Sequence, residues 1–519
     1  MFVSLQPVLP RAHGKFLLPS ACHSHPTFCK TGQMLLFTPI STLPDELLVD
    51  IFDFCRRDNE YVWSYRGQWY KLLHVCRRWR CVMLASPSRL NLCLLFKHRI
   101  PLTRMLTDSP PLPLIVTFDF YGHDKESILL ALQHHERLYS ISLRELGSKQ
   151  LDLLTALDKD FLSLETLSLS SKYPDTEVVG VLPEDFVAPR LRVCHLRSIA
   201  LSTESLLLTN ATSLVSLRLE RLPASDFFSP EYLVERISGM PRLENLSIGL
   251  LHLPLPRPEM ESQHVPDPRV VLPSLSRLTF RGPSNYLESL LARISTPLLR
   301  DLRVKFTGGP TLIVPRVSEF LQMQNLNFHM VEVSFSSTFI AITYYSGQPS
   351  VALPYFLFGT HNQDGGQWLP HQQLAVVIRM CGAVAPFLPV VDCLALKFSD
   401  HYEPSWFCNP FKVDDSALWH GFLRLFGGVK TLCVDKALAW SLTDALRRDN
   451  EPVVKELLPM LSEIIIMSKK DPSHTPLALF VSDCCLAGQP ITLHFADRHP
   501  RHILLPPPIS WTFNTFEER

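Results

Sequence analysis

The sequence predicts an α/β chain in two parts: a small all-helical module near the start, then an irregular array of repeats with parallel strands. Three observations predict it. Between Ser41 and Leu95, apolar residues recur at helical spacing. From Leu138 a different pattern returns: apolar, two residues, apolar, one residue, apolar. Helix-like segments separate these stretches, and strand alternating with helix builds a parallel sheet covered by helices. A more globular α/β domain is the alternative arrangement for the second part. With 519 residues, 46% of them hydrophobic, the chain can bury a large core in either case.

In the first part, Thr42 and Asp45 stand three apart, as in a capping box, and Pro44 occupies a first-turn position where a missing N–H costs little. Asp45 and Glu46 favour the positive end of a helix. Leu47, Leu48, Ile51, Phe52 and Cys55 share one broad face. A second helix is expected with Leu72, Val75, Cys76, Trp79, Val82 and Met83 on its apolar face, stopped by Ser86-Pro87. A unit of this size has too small a core to use up both apolar faces, so part of that surface must meet the rest of the chain or a partner.

This stretch resembles an F-box. The matching residues are Leu43-Pro44-x-Glu46-Leu47-Leu48-x-x-Ile51-Phe52, then Val75-Cys76-Arg77-Arg78-Trp79. The link Asp58 to Tyr70 is longer and more aromatic than the family's usual one, a feature shared with F-box-like proteins of basidiomycete fungi. The run from Ser416 to Leu432, followed by Glu456-Leu-Leu-Pro-Met-Leu461, is similar to C-terminal repeats of the same fungal proteins. The resemblance implies docking on a Skp-type adaptor, and through it on a cullin. It places Leu43, Pro44, Leu47, Leu48, Ile51, Phe52, Val75, Cys76 and Trp79 at that interface. The implied role is that of a non-catalytic substrate receptor of a ubiquitin ligase, with an unknown protein target bound by the repeats. The alternative is a repeat scaffold for assembly without ligase function.

In the second part, Leu114 to Phe120 reads as the first strand, after a break at Pro110-Pro-Leu-Pro113, while Leu90 to Phe96 is expected to pack back on the helices. The strand pattern then begins at residues 138, 164, 191, 214, 243, 275, 299 and 323. The successive intervals are 26, 27, 23, 29, 32, 24 and 24 residues, and the pattern resembles the strand of a leucine-rich repeat. A proline stands two residues before four of these starts, at Pro189, Pro241, Pro273 and Pro297. After Phe328 the register lapses. Met330 to Phe335, Thr338 to Tyr345 and Val351 to Phe358 read as strands of an inserted antiparallel patch or of an edge. The pattern resumes at Val391, Val429 and Leu461. Helices are expected at Leu151 to Leu157, Glu231 to Ser238, Tyr286 to Ile294, Trp419 to Phe426, Leu438 to Leu446 and Leu477 to Ala487. Ile491 to Phe495 reads as the last strand.

The expected boundaries are therefore 1–40, a leader without regular structure; 41–95, the helical module; 96–113, a connector; 114–495, the repeat region; and 496–519, a mobile tail. Fifty basic residues balance fifty acidic ones, which advertises neither a nucleic-acid surface nor an anionic membrane partner. Thirteen scattered cysteines suit reduced thiols in cytoplasm or nucleus rather than a disulfide framework. No phosphate-binding glycine loop, zinc-protease helix or nucleophile elbow is present, so no catalytic residue, metal or cofactor is expected. Cys22, His23, His25 and Cys29 match no familiar zinc spacing. His134-His135 and Cys484-Cys485 carry no metal or redox pattern, and Asp414-Asp415 reads as a helix cap.

Overall fold

The computed structural model describes residues 43–57, 70–85, 94–96, 106, 112–119, 125–172, 180–222, 229–250, 269–307, 315–323, 328–336, 339–346, 355–361, 370–382, 384–398, 416–448, 451–467, 476–486, 488 and 490–496. The described helices up to Ala85 belong to one compact unit, and the elements from Leu94 onward belong to a second.

The first unit holds α1 (Asp45–Arg57), α2 (Tyr70–Leu73) and α3 (Arg77–Ala85). The second helix expected from the sequence is thus two helices. A turn closes α2 where Val75 N–H donates to Leu72 O (3.3 Å), and α3 starts afresh with Arg80 N–H on Cys76 O (3.2 Å). The Cys76 thiol caps α3, accepting from Trp79 N–H at 3.5 Å, and Arg80 Nε donates to the Leu73 carbonyl at the end of α2. A thiol is an unusual cap, and helical spacing alone runs straight across it.

The second unit is built on one sheet of 16 strands among the described residues. In chain order these are β1 (Leu94–Phe96), β2 (Leu114–Asp119), β3 (Leu138–Leu146), β4 (Thr166–Ser171), β5 (Val193–Arg197), β6 (Ser216–Leu222), β7 (Asn245–Leu250), β8 (Arg277–Gly282), β9 (Asp301–Thr307), β10 (Phe328–Phe335), β11 (Phe339–Ser346), β12 (Tyr355–His361), β13 (Cys393–Phe398), β14 (Thr431–Asp435), β15 (Glu463–Met467) and β16 (Thr492–Ala496). Strands β1 to β9 follow one another in parallel; then come β12, β11 and β10, and β13 to β16 continue in parallel. The chain leaves β9, lays down β10 three places away and returns through antiparallel β11 to β12 beside β9. The patch is thus inside the sheet, not at its edge. Since β12 is parallel to β9 and β13 is parallel to β10, strand direction is kept across it.

A single turn starts the repeats. The first apolar residue of each pattern donates its N–H to the carbonyl three residues back: Leu191 to Ala188, Leu243 to Met240, Leu275 to Leu272 and Leu299 to Thr296. Pro189, Pro241, Pro273 and Pro297 occupy the second position of these turns, where their fixed φ is already correct. Pro389 and Pro459 do the same before Val391 and Leu461. The apolar residues that follow, such as Leu217, Leu219, Leu278, Phe280, Leu432 and Val434, are buried. Returning segments include Ser148–Leu157 (a 3-10 helix), Pro230–Ser238, Ser284–Arg293, Pro315–Met323, Pro370–Gly382 and Pro476–Leu486. Ser229 caps one of them, its hydroxyl accepting from Tyr232 N–H at 3.2 Å.

Three expectations are corrected. Leu94–Phe96 pairs in parallel with β2, so Leu114 does not begin the sheet. Met323 ends a helix, and its strand starts only at Phe328, because Val317, Phe320 and Leu321 bury one helical face and Pro315 opens that helix. The helix expected to reach Leu446 ends at Ala445, ahead of a short hairpin pairing Arg447–Arg448 with Glu451–Pro452. The leader, the Cys22–Cys29 cluster, the 58–69 link, Asp414-Asp415 and the tail beyond Ala496 lie outside the described residues.

Candidate functional site

Helix α1 carries two apolar stripes. Leu48, Val49 and Phe52 are buried, as are Val82 and Met83 of α3. Trp79 meets Phe52 edge-on, with ring centroids 4.9 Å apart. The start of α1 is tied to α3 by Arg78, which donates to Asp45 Oδ1 from Nε (3.0 Å) and Nη2 (2.6 Å) and also to the Leu43 carbonyl. Asp45 is thus held by a guanidinium on α3. The second stripe is Leu47, Ile51 and Phe54, spaced i, i+4, i+7. Leu47 is 48% and Phe54 64% exposed, and Ile51 is half-buried.

The nine residues singled out in the sequence therefore divide. Leu48 and Phe52 face inward, and Trp79 packs on Phe52. Leu47, Pro44, Val75 and Cys76 are exposed, while Leu43 and Ile51 are half-buried. Phe54 belongs with the exposed set and was missed. Its signal was present, because it falls seven residues after Leu47, where a helix returns to the same side.

The sheet offers a second surface, the face opposite the buried leucines. From β5 to β9 it carries charged and hydroxyl side chains. From β10 to β15 it carries a buried apolar group: Met330, Tyr345, Cys393, Ala395, Cys433 and Ile465. In the latter group the Cys393 and Cys433 sulfurs are 3.9 Å apart. The neighbouring thiol, and burial after it, hold Cys433 well above the usual thiol range.

Among the described residues, several histidines and thiols sit in buried or backbone-bonded positions. No group of three or more His, Cys, Asp or Glu side chains could hold a metal ion there. His135 Nδ1 lies 3.0 Å from the Asp160 carbonyl, a structural contact. Burial pushes the Cys194 and Cys381 thiols up to about 12, and burial with nearby Cys485 and Asp483 pushes Cys484 up to about 11, so these sulfurs stay protonated. No helix among the described residues is long and apolar enough to cross a membrane.

No family model and no curated protein matches this chain. Among solved structures, it is similar to a chain in the crystal structure of the yeast Rad7–Elc1 complex. That match is 16% identical, covers 86% of this chain and 92% of that one, and has a TM-score of 0.28. So low a score leaves the site to be read from its own residues.

Proposed function

We propose that the chain is a non-catalytic substrate receptor of a Skp–cullin–F-box ubiquitin ligase. Helices α1 to α3 dock on the Skp-type adaptor, and the repeat sheet binds a protein target. The observation that carries this reading is the exposed stripe Leu47, Ile51, Phe54. It lies on a helix whose other stripe is already used, within the residues that resemble an F-box. An apolar stripe left over after a small core is filled suits a partner surface. Ubiquitin transfer would come from the assembled ligase by proximity, with no reacting group supplied here.

Co-purification of a Skp-type adaptor with the full chain tests it. Leu47→Asp combined with Phe54→Asp should abolish retention, since a carboxylate would be buried unpaired at the interface. Circular dichroism should be unchanged, because both positions are exposed. Trp79→Ala should weaken retention through loss of packing on Phe52, and its melting temperature should fall as well. If the double variant keeps the adaptor at wild-type levels, the repeats are better read as an assembly scaffold.

A further inference from the structure

Every strand of the large sheet except the first and the last is paired on both sides. The last, β16, runs parallel to β15 along its whole length, with Thr492 to Ala496 set against Glu463 to Met467. Among the described residues, no strand lies on its other side. Alternate backbone N–H and C=O groups of β16 point that way. A regular strand that leaves such groups open is a template for another strand. Nothing in β16 blunts this edge: it has no lysine, no proline and no register shift.

Apolar cover is also incomplete here. Register sets Leu493 beside Ile464 and Phe495 beside Ile466. The two isoleucines are fully buried, as are Leu432 and Val434 on β14, whereas Leu493 is half-buried and Phe495 is 39% exposed. On the other face, Thr492 and His494 are exposed and already supplied with partners. The Thr492 hydroxyl donates to the Ser462 carbonyl (3.2 Å), and His494 Nε2 lies 3.5 Å from Glu463. The inward apolar rows of the array thus stop at β16 without the neighbour that buries them on earlier strands, and an array needs its end closed.

The sequence supplies a match. Twelve residues separate Ala496 from Ile509-Ser510-Trp511-Thr512-Phe513. Apolar and polar residues alternate there with the period of a strand, and all but Ser510 are β-branched or aromatic. Pro506 to Pro508 directly before it bar a helix from running into the segment. Laid along β16, the segment sets Ile509, Trp511 and Phe513 on the side of Leu493 and Phe495. Ser510 and Thr512 then fall on the side of Thr492 and His494. A slip by one residue would turn three large apolar side chains to the polar face, so the register is specified. Twelve residues reach about 40 Å when extended, and β16 is about 16 Å long, so the tether reaches either end of it.

We propose that residues 509–513 dock on the open edge of β16 of the same chain, as a further strand that closes the apolar end of the array. The match of apolar side to apolar side and polar side to polar side selects this occupant. A short tether also holds it at an effective concentration that a second copy does not reach in dilute solution. A second copy pairing edge to edge is the competing occupant. The inference is independent of the receptor reading, since no residue of α1 to α3 takes part.

The test is hydrogen–deuterium exchange of the full chain, with light scattering on the same sample. In the wild type, the amides of 509–513 should exchange about tenfold or more slowly than those of a free peptide of the same sequence, and the chain should be a monomer. Trp511→Asp with Phe513→Asp should remove that protection and speed exchange over Thr492–Ala496. Exchange over Thr431–Asp435, inside the sheet, should not change. Ser510→Gln with Thr512→Gln, on the polar side, should keep the protection. The proposal is overturned if 509–513 exchange at the free-peptide rate in the wild type. It is equally overturned if the double Asp variant leaves Thr492–Ala496 unchanged, which would place the segment elsewhere. Protection that appears only in a dimer would also overturn it, by giving the edge to a second copy.

Discussion

Strands β5 to β9 and strands β10 to β15 share one buried frame and differ on the other face. In both stretches two apolar residues per strand, one position apart, are buried, as with Leu217 and Leu219 in one and Leu432 and Val434 in the other. On the opposite face, the row holding Arg218 and Arg303 in the first stretch runs on through buried Thr343 and Glu332 to Ala395, Cys433 and Ile465 in the second. The frame is set by burial, which tolerates any strand with the right inward residues. The opposite face is left to whatever each stretch has to meet: packing in the second, and charged, partly exposed side chains in the first.

Exchanging residues between the stretches should break this contrast at its strongest point. Ala395→Arg puts the first stretch's residue into the second, where the position is fully buried. Register places the buried Glu332 beside it, but the long side chain overfills a packed face and should cost about 1–3 kcal/mol, seen as a fall in the denaturant midpoint. The reverse change, Arg218→Ala, removes an exposed pair with Glu220 and should cost less than about 1 kcal/mol. Similar losses from both would mean that the two faces do not differ in burial.

A turn of the second stretch should be about as sensitive. At Gly428 an added Cβ would collide with the Pro389 carbonyl, which is backbone and cannot move aside cheaply. Gly428→Ala should cost about 2–4 kcal/mol. The same change at Gly249 of the first stretch meets only ordinary contacts and should be neutral or slightly stabilising. Thermal melts of the two variants side by side check this.

The smallest expected effect concerns Lys305. Its amine is depressed from the ordinary 10.5 to about 8 in the folded chain. Between those values the unfolded chain binds more protons, so this group makes stability rise with pH across that window, and its full cost is felt below about 8. Lys305→Met should therefore stabilise the chain slightly at pH 7, and the difference from wild type should shrink as pH rises from about 8 to 10.5. A destabilised variant would show that the amine has a partner worth more than its desolvation.

Much of the frame was legible because burial leaves a mark in sequence. The inward leucines recur at fixed offsets, and the turn prolines announce the strand starts from Leu191 to Leu299. Met323 misled because two apolar residues three apart suit either a strand start or a helix end, and only the Phe320–Leu321 face decides between them. On α1, the apolar pattern identified Leu47, Leu48, Ile51 and Phe52 together. Which of them face inward depends on where α3 lies, and that is set by Arg78 reaching Asp45 across 33 positions. The charged face of β5 to β9 was invisible for the same reason. Arg281 and Lys305 are 24 residues apart and become neighbours only through strand register.

Denaturant unfolding of the full chain carrying Ala395→Arg, beside the full chain carrying Arg218→Ala, tests the contrast most directly. A clear fall in the midpoint is predicted for the first and little change for the second. Equal shifts in the two would contradict a packed face over Cys393–Phe398, Thr431–Asp435 and Glu463–Met467 and a partly exposed one over β5 to β9.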